Sequence, residues 1–224
     1  MFYQGDIFEV LPKLKKYKLI FTSPPYWKGF KYDTFNSYHQ YLEWTKRWVK
    51  EIKQHLESDG FFIVNIANDS ETPIKAFEVM QICCEHFRLI DTAIWYCYNR
   101  QPHNSIRSLT NQTEYCFIFR LDNSDIIFNK EGILEKYKEV FDTKNVGNVW
   151  RIPFQVKERG ESKLKKSIGK WGSSGFPELL CNLVLDLTTK EGDNVLDCFC
   201  GTKTLLRCGE KMGRIVDGID LFDI

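Results

Sequence analysis

The sequence predicts one open α/β sheet, mostly parallel, with helices on both faces, and three observations carry that expectation. Residues 61–66, Phe-Phe-Ile-Val-Asn-Ile, form a nearly uninterrupted apolar run of the kind a strand buried on both faces requires. Residues 194–221 read as strand, glycine turn, helix and strand. Strand-like and helix-like stretches alternate along the 224 residues, a length that suits one enzyme-sized domain with a sizeable core.

In chain order, residues 2–14 give a short strand, a Gly5-Asp6 turn and a small helix, and residues 18–21 a second, apolar strand. Residues 28–37 form a polar, aromatic loop. From 38 to 57 the spacing of Tyr41, Leu42, Trp44, Trp48, Val49, Ile52 and Leu56 predicts an amphipathic helix whose tryptophans pack inward, ended by Asp59-Gly60. The buried strand 61–66 follows, then a helix over 73–86 and strands over 87–98 and 114–120. Residues 177–187 read as a helix that feeds the strand 194–197. Gly201 opens the turn after that strand, a helix runs from about 204 to 212, and Gly213 stands where it stops. A last strand, 214–221, sets Asp220 at its carboxyl end.

Two segments carry chemistry. The first is Thr22-Ser23-Pro24-Pro25-Tyr26-Trp27, directly after the second strand. Paired prolines fix φ and donate no amide hydrogens, so the Ser23 and Pro24 carbonyls are acceptors, while Tyr26 and Trp27 offer ring faces. The same pair also reads as an ordinary strand-end turn. The second is the strand-turn-helix-strand unit with Asp220 downstream, an arrangement that seats adenosine-type ligands and lets the acid take ribose hydroxyls. One glycine is a weak signal by itself. Ligands in open α/β sheets lie at carboxyl ends of strands near the point where strand order reverses. Both loops leave such ends, so adjacency of their strands would join them in one site.

Together, Ser23-Pro24-Pro25-Tyr26 and Asp197-Cys198-Phe199-Cys200-Gly201-Thr202-Lys203-Thr204 resemble the catalytic and cofactor strings of DNA amino-methyltransferases that use S-adenosylmethionine. The resemblance covers nearly the whole chain. It implies a Rossmann-like methyltransferase fold with circularly permuted motif order, the catalytic loop preceding the cofactor loop. It also implies that Asp6 reaches the cofactor's adenine and that Phe176 and Pro177, within Gly175-Phe176-Pro177-Glu178-Leu179, wall the pocket, joined by Asp197, Cys198, Phe199, Gly201, Lys203, Thr204 and Asp220. Asn148-Val149-Trp150-Arg151-Ile152-Pro153 and Thr110-Asn111-Gln112-Thr113-Glu114-Tyr115 are similar to further family landmarks.

Two positions depart from the family's strings. Cys198 stands where the family has Pro, and Lys203 where it has its second Gly. A lysine there has three destinations: outward, onto the methionine carboxylate, or into the pocket. In the third case the chain would be a non-catalytic DNA-binding relative.

The resemblance assigns the chemistry to an exocyclic amine of a base flipped out of duplex DNA. Hydrogen bonds from that amine to Ser23 Oγ and the Pro24 carbonyl would localise its lone pair, with Pro25 stiffening the loop and Tyr26 stacking on the ring. No metal is needed. Ser at this position goes mostly with the N4 amine of cytosine, with the N6 amine of adenine as the alternative. Methylation of RNA or of a protein glutamine is a further alternative, disfavoured by loop order.

A formal net charge of +1 excludes a globally basic surface, so DNA must be held by local patches. Candidates are Trp27 and Lys28 at the first loop, and Arg100, His103, Asn104 and Arg107 in the polar loop 99–112. Lys163, Lys165 and Lys166 lie in the basic stretch 157–170. Each loop also reads as plain solvated surface. Residues 123–148 are expected to be an insertion that recognises a particular sequence within a single domain, 1–224. The eight cysteines lack CxxC spacing and read as buried thiols of a reducing compartment. With no signal peptide or bilayer-length apolar run, a cytoplasmic protein is expected. Its partners would be duplex DNA and a cognate restriction endonuclease, and its assembly a monomer or homodimer.

Overall fold

A computed structural model describes residues 1–27, 35–101, 106, 108–122, 128–154 and 175–223. Among them are the strands β1 (Phe2–Gln4), β2 (Tyr17–Thr22), β3 (Leu56–Ile66), β4 (Arg88–Tyr96), β5 (Thr113–Arg120), β6 (Val149–Arg151), β7 (Asn194–Asp197) and β8 (Ile215–Asp220). The helices are α1 (Ile7–Val10), α2 (Tyr38–Ile52), α3 (Lys75–Cys84), α4 (Ile133–Lys136), α5 (Glu178–Thr188) and α6 (Thr204–Lys211).

The strands make one eight-stranded sheet in the order β1-β8-β7-β2-β3-β5-β4-β6. Pairing is parallel except at β5, which runs antiparallel to β3 and β4. The strand order reverses between β2 and β7, which are parallel neighbours with Leu19 opposite Val195 and Ile20 opposite Leu196. The loops after these strands therefore leave the same edge of the sheet side by side.

Alternation along the central strands sorts side chains into two layers. Leu19, Phe21, Phe61 and Ile63 face α4, α5 and α6, meeting Leu180, Leu183, Val184 and Leu205. Ile20, Phe62, Val64 and Ile66 face α1, α2 and α3, meeting Trp48, Val49, Ile52 and Val79. Because both faces are covered, β3 needs apolar residues at almost every position, which is why its sequence shows no polar alternation.

Helix α2 corrects the sequence expectation at its end. It stops at Ile52, a 3-10 turn covers Lys53–His55, and β3 begins at Leu56, so Asp59-Gly60 lies inside a strand. The physical reason is a bulge. Tyr17 pairs with Leu56 but Leu19 with Phe61, and a Cβ on Gly60 would stand 3.0 Å from the Lys18 carbonyl oxygen. Glycine here admits the neighbouring backbone and does not terminate a helix.

In the segment 123–148, Ile133, Tyr137, Val140 and Phe141 are buried in the core, and Tyr137 Oη donates to Asp186 Oδ2 at 2.6 Å. Residues 123–127 lie outside the described residues. No described helix is long and apolar enough to cross a membrane.

Candidate active site

Thr22, the last residue of β2, is fully buried, and its hydroxyl donates to Asp197 Oδ1 at 2.8 Å, at the end of β7. That bond ties together the roots of the proline loop and the glycine turn. Asp197 Oδ1 also accepts from the Phe199 amide at 3.2 Å. Burial pushes the Asp197 carboxyl up to about 7, the charge of Asp220 adds to the rise, and the two hydrogen bonds oppose it. A buried carboxylate whose partners among the described residues are two neutral donors is under-compensated as an anion, and a cationic ligand at this turn would complete it.

The glycine turn is held from the next strand. Asp220 Oδ2 accepts from the Gly201 amide at 2.8 Å, and the Cys200 amide donates to the Ile219 carbonyl at 3.0 Å. Burial raises the Asp220 carboxyl, while backbone amides and Lys203 pull it back. Gly201 and Lys203 both have left-handed backbones, with φ of 43° and 59°. The second value explains the family's glycine at that position, and a lysine there carries a conformational penalty of about 1 kcal/mol. Its side chain takes the outward course: the ammonium pairs with Asp223 and lies 4.0 Å from the Phe2 ring centroid.

Asp6 caps α1 through one oxygen, accepting from the Phe8 amide at 2.8 Å, and Gly5 beside it donates to the Asp220 carbonyl, so Asp6 and Asp220 share one corner. Phe176 stacks on Phe21 at 4.3 Å and 13°, and Pro177 caps α5. The Cys198 side chain is buried in the layer beneath the sheet, its thiol pushed well up by burial, so only its backbone fronts the turn. Phe199 packs against both Trp44 and Trp48, at 5.4 and 5.5 Å, which gives these helix tryptophans the task of backing the turn. Thr204 is buried at the start of α6 and shares a 3.1 Å hydrogen bond with Thr202.

Gly175 brings the Phe176-Pro177 segment against the turn, since a Cβ built there would overlap Thr202 Oγ1. Gly175→Ala is therefore expected to cost about 1–3 kcal/mol of stability through overpacking, and to weaken cofactor affinity as the turn is displaced. Urea denaturation and calorimetric titration of the same variant check both parts.

Around the proline loop the side chains are ordered by a network drawn from distant parts of the chain. Ser23 Oγ donates to Tyr26 Oη at 3.0 Å, which leaves the serine lone pairs to accept from a substrate. Tyr26 Oη lies 3.0 Å from Asn65 Oδ1, at the end of β3, and 3.1 Å from Glu114 Oε2, at the start of β5. Burial, then the nearby Glu114 carboxylate, holds the Tyr26 phenol well above its ordinary value, so it stays neutral. Lys75, fully buried at the start of α3, donates to the Tyr26 carbonyl at 2.7 Å and pairs with Asp69. Pro24 is buried and Pro25 half-buried.

Asn65, Lys75 and Glu114 are missing from the sequence-predicted site. A signal existed for Asn65, the one amide in the apolar run 61–66, because a polar group in a buried strand needs partners. Lys75 gave none.

The DNA-side candidates are placed differently. Arg100 pairs with Glu114, donates to the Asn111 carbonyl at 3.3 Å and lies over the Phe154 ring, so it is engaged within the protein. Trp27, with φ of 48°, packs on Tyr38 at 5.1 Å. Lys28, His103, Asn104, Arg107, Lys163, Lys165 and Lys166 lie outside the described residues, as does the whole stretch 157–170.

Comparison with known proteins bears on the arrangement as a whole. The chain is 25% identical over 240 residues to the Type II methyltransferase M2.DpnII of Streptococcus pneumoniae, covering 96% of this chain and 82% of that protein. Its fold matches the PvuII DNA methyltransferase (cytosine-N4-specific) with a TM-score of 0.76 at 20% identity, covering 99% of this chain and 81% of that one. It also matches the M1.HpyAVI-SAM complex with a TM-score of 0.67 at 19% identity, covering 100% of this chain and 94% of that one. The N6/N4 DNA methylase family model matches residues 17–222, a span that holds both loops and the strands between them, and the chain belongs to that family.

Proposed function

We propose that this protein methylates the N4 amine of cytosine within a specific duplex sequence, with S-adenosylmethionine as donor and the base flipped out of the helix. The observation that carries the proposal is the Thr22–Asp197 hydrogen bond, because it joins the proline loop and the glycine turn at one sheet edge. The donor fits the residues present: among the described residues Asp197 has two neutral donors and no cationic partner, and Asp220 stands at the carboxyl end of β8. When bound, the donor supplies an electrophilic methyl on a sulfonium.

The chain's own residues do the rest by orientation. An aromatic amine is a poor nucleophile because its lone pair is delocalised into the ring. Ser23 Oγ, its own hydrogen directed to Tyr26, accepts one amine hydrogen, and the Pro24 carbonyl accepts the other. The lone pair is thereby kept on nitrogen and aimed along the transfer axis. Tyr26, anchored at its hydroxyl, presents its ring to the base.

Support for cytosine over adenine comes from Ser23 itself and from the cytosine-N4 name of the PvuII relative. A cognate restriction endonuclease is the partner that the Type II names of the relatives support. Incubation of the protein with methyl-labelled donor and unmodified duplex DNA, digestion to nucleosides and mass spectrometry test the proposal. N4-methylcytosine is expected. N6-methyladenine would reassign the base, and unlabelled nucleosides would overturn the activity.

A further inference from the structure

We propose that Ser23, Tyr26 and Glu114 form a proton relay that carries the proton released by the methylated amine from the acceptor cradle to a carboxylate on β5. This inference rests on the amine-methylation activity proposed above and extends it to the fate of the proton. The hydrogen bonds run in one direction, Ser23 Oγ to Tyr26 Oη at 3.0 Å and Tyr26 Oη to Glu114 Oε2 at 3.1 Å. Asn65 offers Tyr26 two neutral acceptors, Oδ1 at 3.0 Å and the carbonyl at 3.3 Å, but neither can keep a proton. Glu114 can: its carboxylate is buried and ion-paired with Arg100.

The step balances. The new N–C bond forms as the donor's C–S bond breaks, and the bonding pair stays on sulfur. Nitrogen, now positively charged, gives its proton to Ser23 Oγ, the serine proton moves to Tyr26 Oη, and the phenol proton moves to Glu114 Oε2. Serine and tyrosine are regenerated neutral, and Glu114 ends as a carboxylic acid beside Arg100 until it loses the proton to solvent. The high phenol value supports the same picture, since Tyr26 then passes a proton without resting as a phenolate.

The groups facing Glu114 are Arg100 from the loop after β4, Tyr26 from the loop after β2, Cys97 just beyond β4 and Cys116 within β5. Both thiols stay neutral, because burial raises them well above their ordinary value. Glu114 and Arg100 are therefore the charged members of this set.

The test has two arms. In the ligand-free protein labelled at the ζ carbon of tyrosine, the Tyr26 resonance, assigned with Tyr26→Phe, is expected to move in both Ser23→Ala and Glu114→Gln. A resonance unmoved by either overturns the relay whatever the protein's activity. In single-turnover methyl transfer to unmodified duplex DNA, the wild-type protein sets the reference rate and solvent isotope effect. Glu114→Gln is expected to lower the rate about 10²-fold and to diminish the solvent isotope effect, with Glu114→Asp restoring part of both. Donor affinity should be unchanged. A wild-type rate and solvent isotope effect retained in Glu114→Gln overturn the relay while leaving the transferase standing, and absence of transfer by the wild-type protein overturns the activity instead. Should Glu114→Gln fail to fold, a proton inventory of the wild-type rate in mixed light and heavy water decides: curvature supports several protons in flight, and no solvent isotope effect overturns the relay.

Discussion

Ser23→Ala is expected to lower the rate constant of methyl transfer by about 10²–10³-fold while donor affinity changes by less than about twofold. The separation follows from where the hydroxyl stands. Its hydrogen is committed to Tyr26, so toward the substrate Ser23 acts only as an acceptor, and that contact strengthens as the amine gains positive charge in the transition state. The donor turn is held by other groups, Asp197, Asp220 and the backbone of residues 198–204, none of which bonds to Ser23. Single-turnover kinetics and calorimetric titration of the same preparation check the prediction. Equal losses in both would give Ser23 a structural task.

Asp197→Asn is expected to stabilise the protein at pH 8 by about 2–4 kcal/mol and to weaken donor binding about tenfold or more. The folded-state carboxyl titrates at about 7 instead of 3.8, so between those values the folded protein holds a proton that the unfolded chain has lost. Stability therefore falls as pH rises across that window and is level above it, the loss amounting to about 4 kcal/mol as an upper bound. Asparagine keeps an acceptor for Thr22 and for the Phe199 amide and has no charge to bury. The gain should shrink toward nothing near pH 4, which urea denaturation at pH 4, 6 and 8 would reveal. A cationic donor favours the ionised form, so wild-type affinity should weaken between pH 8 and pH 6. That such an acid stands in the core at all fits a residue retained for its ligand at the expense of stability.

The sheet was legible where physics is local. An apolar run without alternation marked β3 as buried on both faces, and a glycine turn between a strand and an amphipathic helix marked β7, α6 and β8. Adjacency of β2 and β7 was the condition for one shared site, given that ligands lie where strand order reverses, and the sheet order has them as neighbours. The end of α2 was not legible, because Gly60 serves a contact with Lys18 on another strand and no local pattern encodes that contact. The same holds for the surroundings of Tyr26. Its hydroxyl meets Asn65 and Glu114, residues 39 and 88 positions away, and only the antiparallel insertion of β5 beside β3 brings them together. Arg100 illustrates the converse: a cation in a polar loop suggested phosphate, but a buried carboxylate nearby claims it. Lys203 shows how a departure from a family string is absorbed, since the backbone keeps the left-handed turn and the side chain leaves it toward Asp223.

On the proposed activity, a methyl donor at the glycine turn faces an acceptor amine at Ser23. A crystal structure of the protein with an amine analogue of S-adenosylmethionine and duplex DNA tests it most directly. The analogue's methionine portion is expected beside Asp197, with a flipped base whose amine rests on Ser23 Oγ and the Pro24 carbonyl, and about 3–4 Å between that amine and the analogue's methyl-mimicking atom. An analogue seated away from the turn, or a base held by groups other than Ser23 and Pro24, would contradict it.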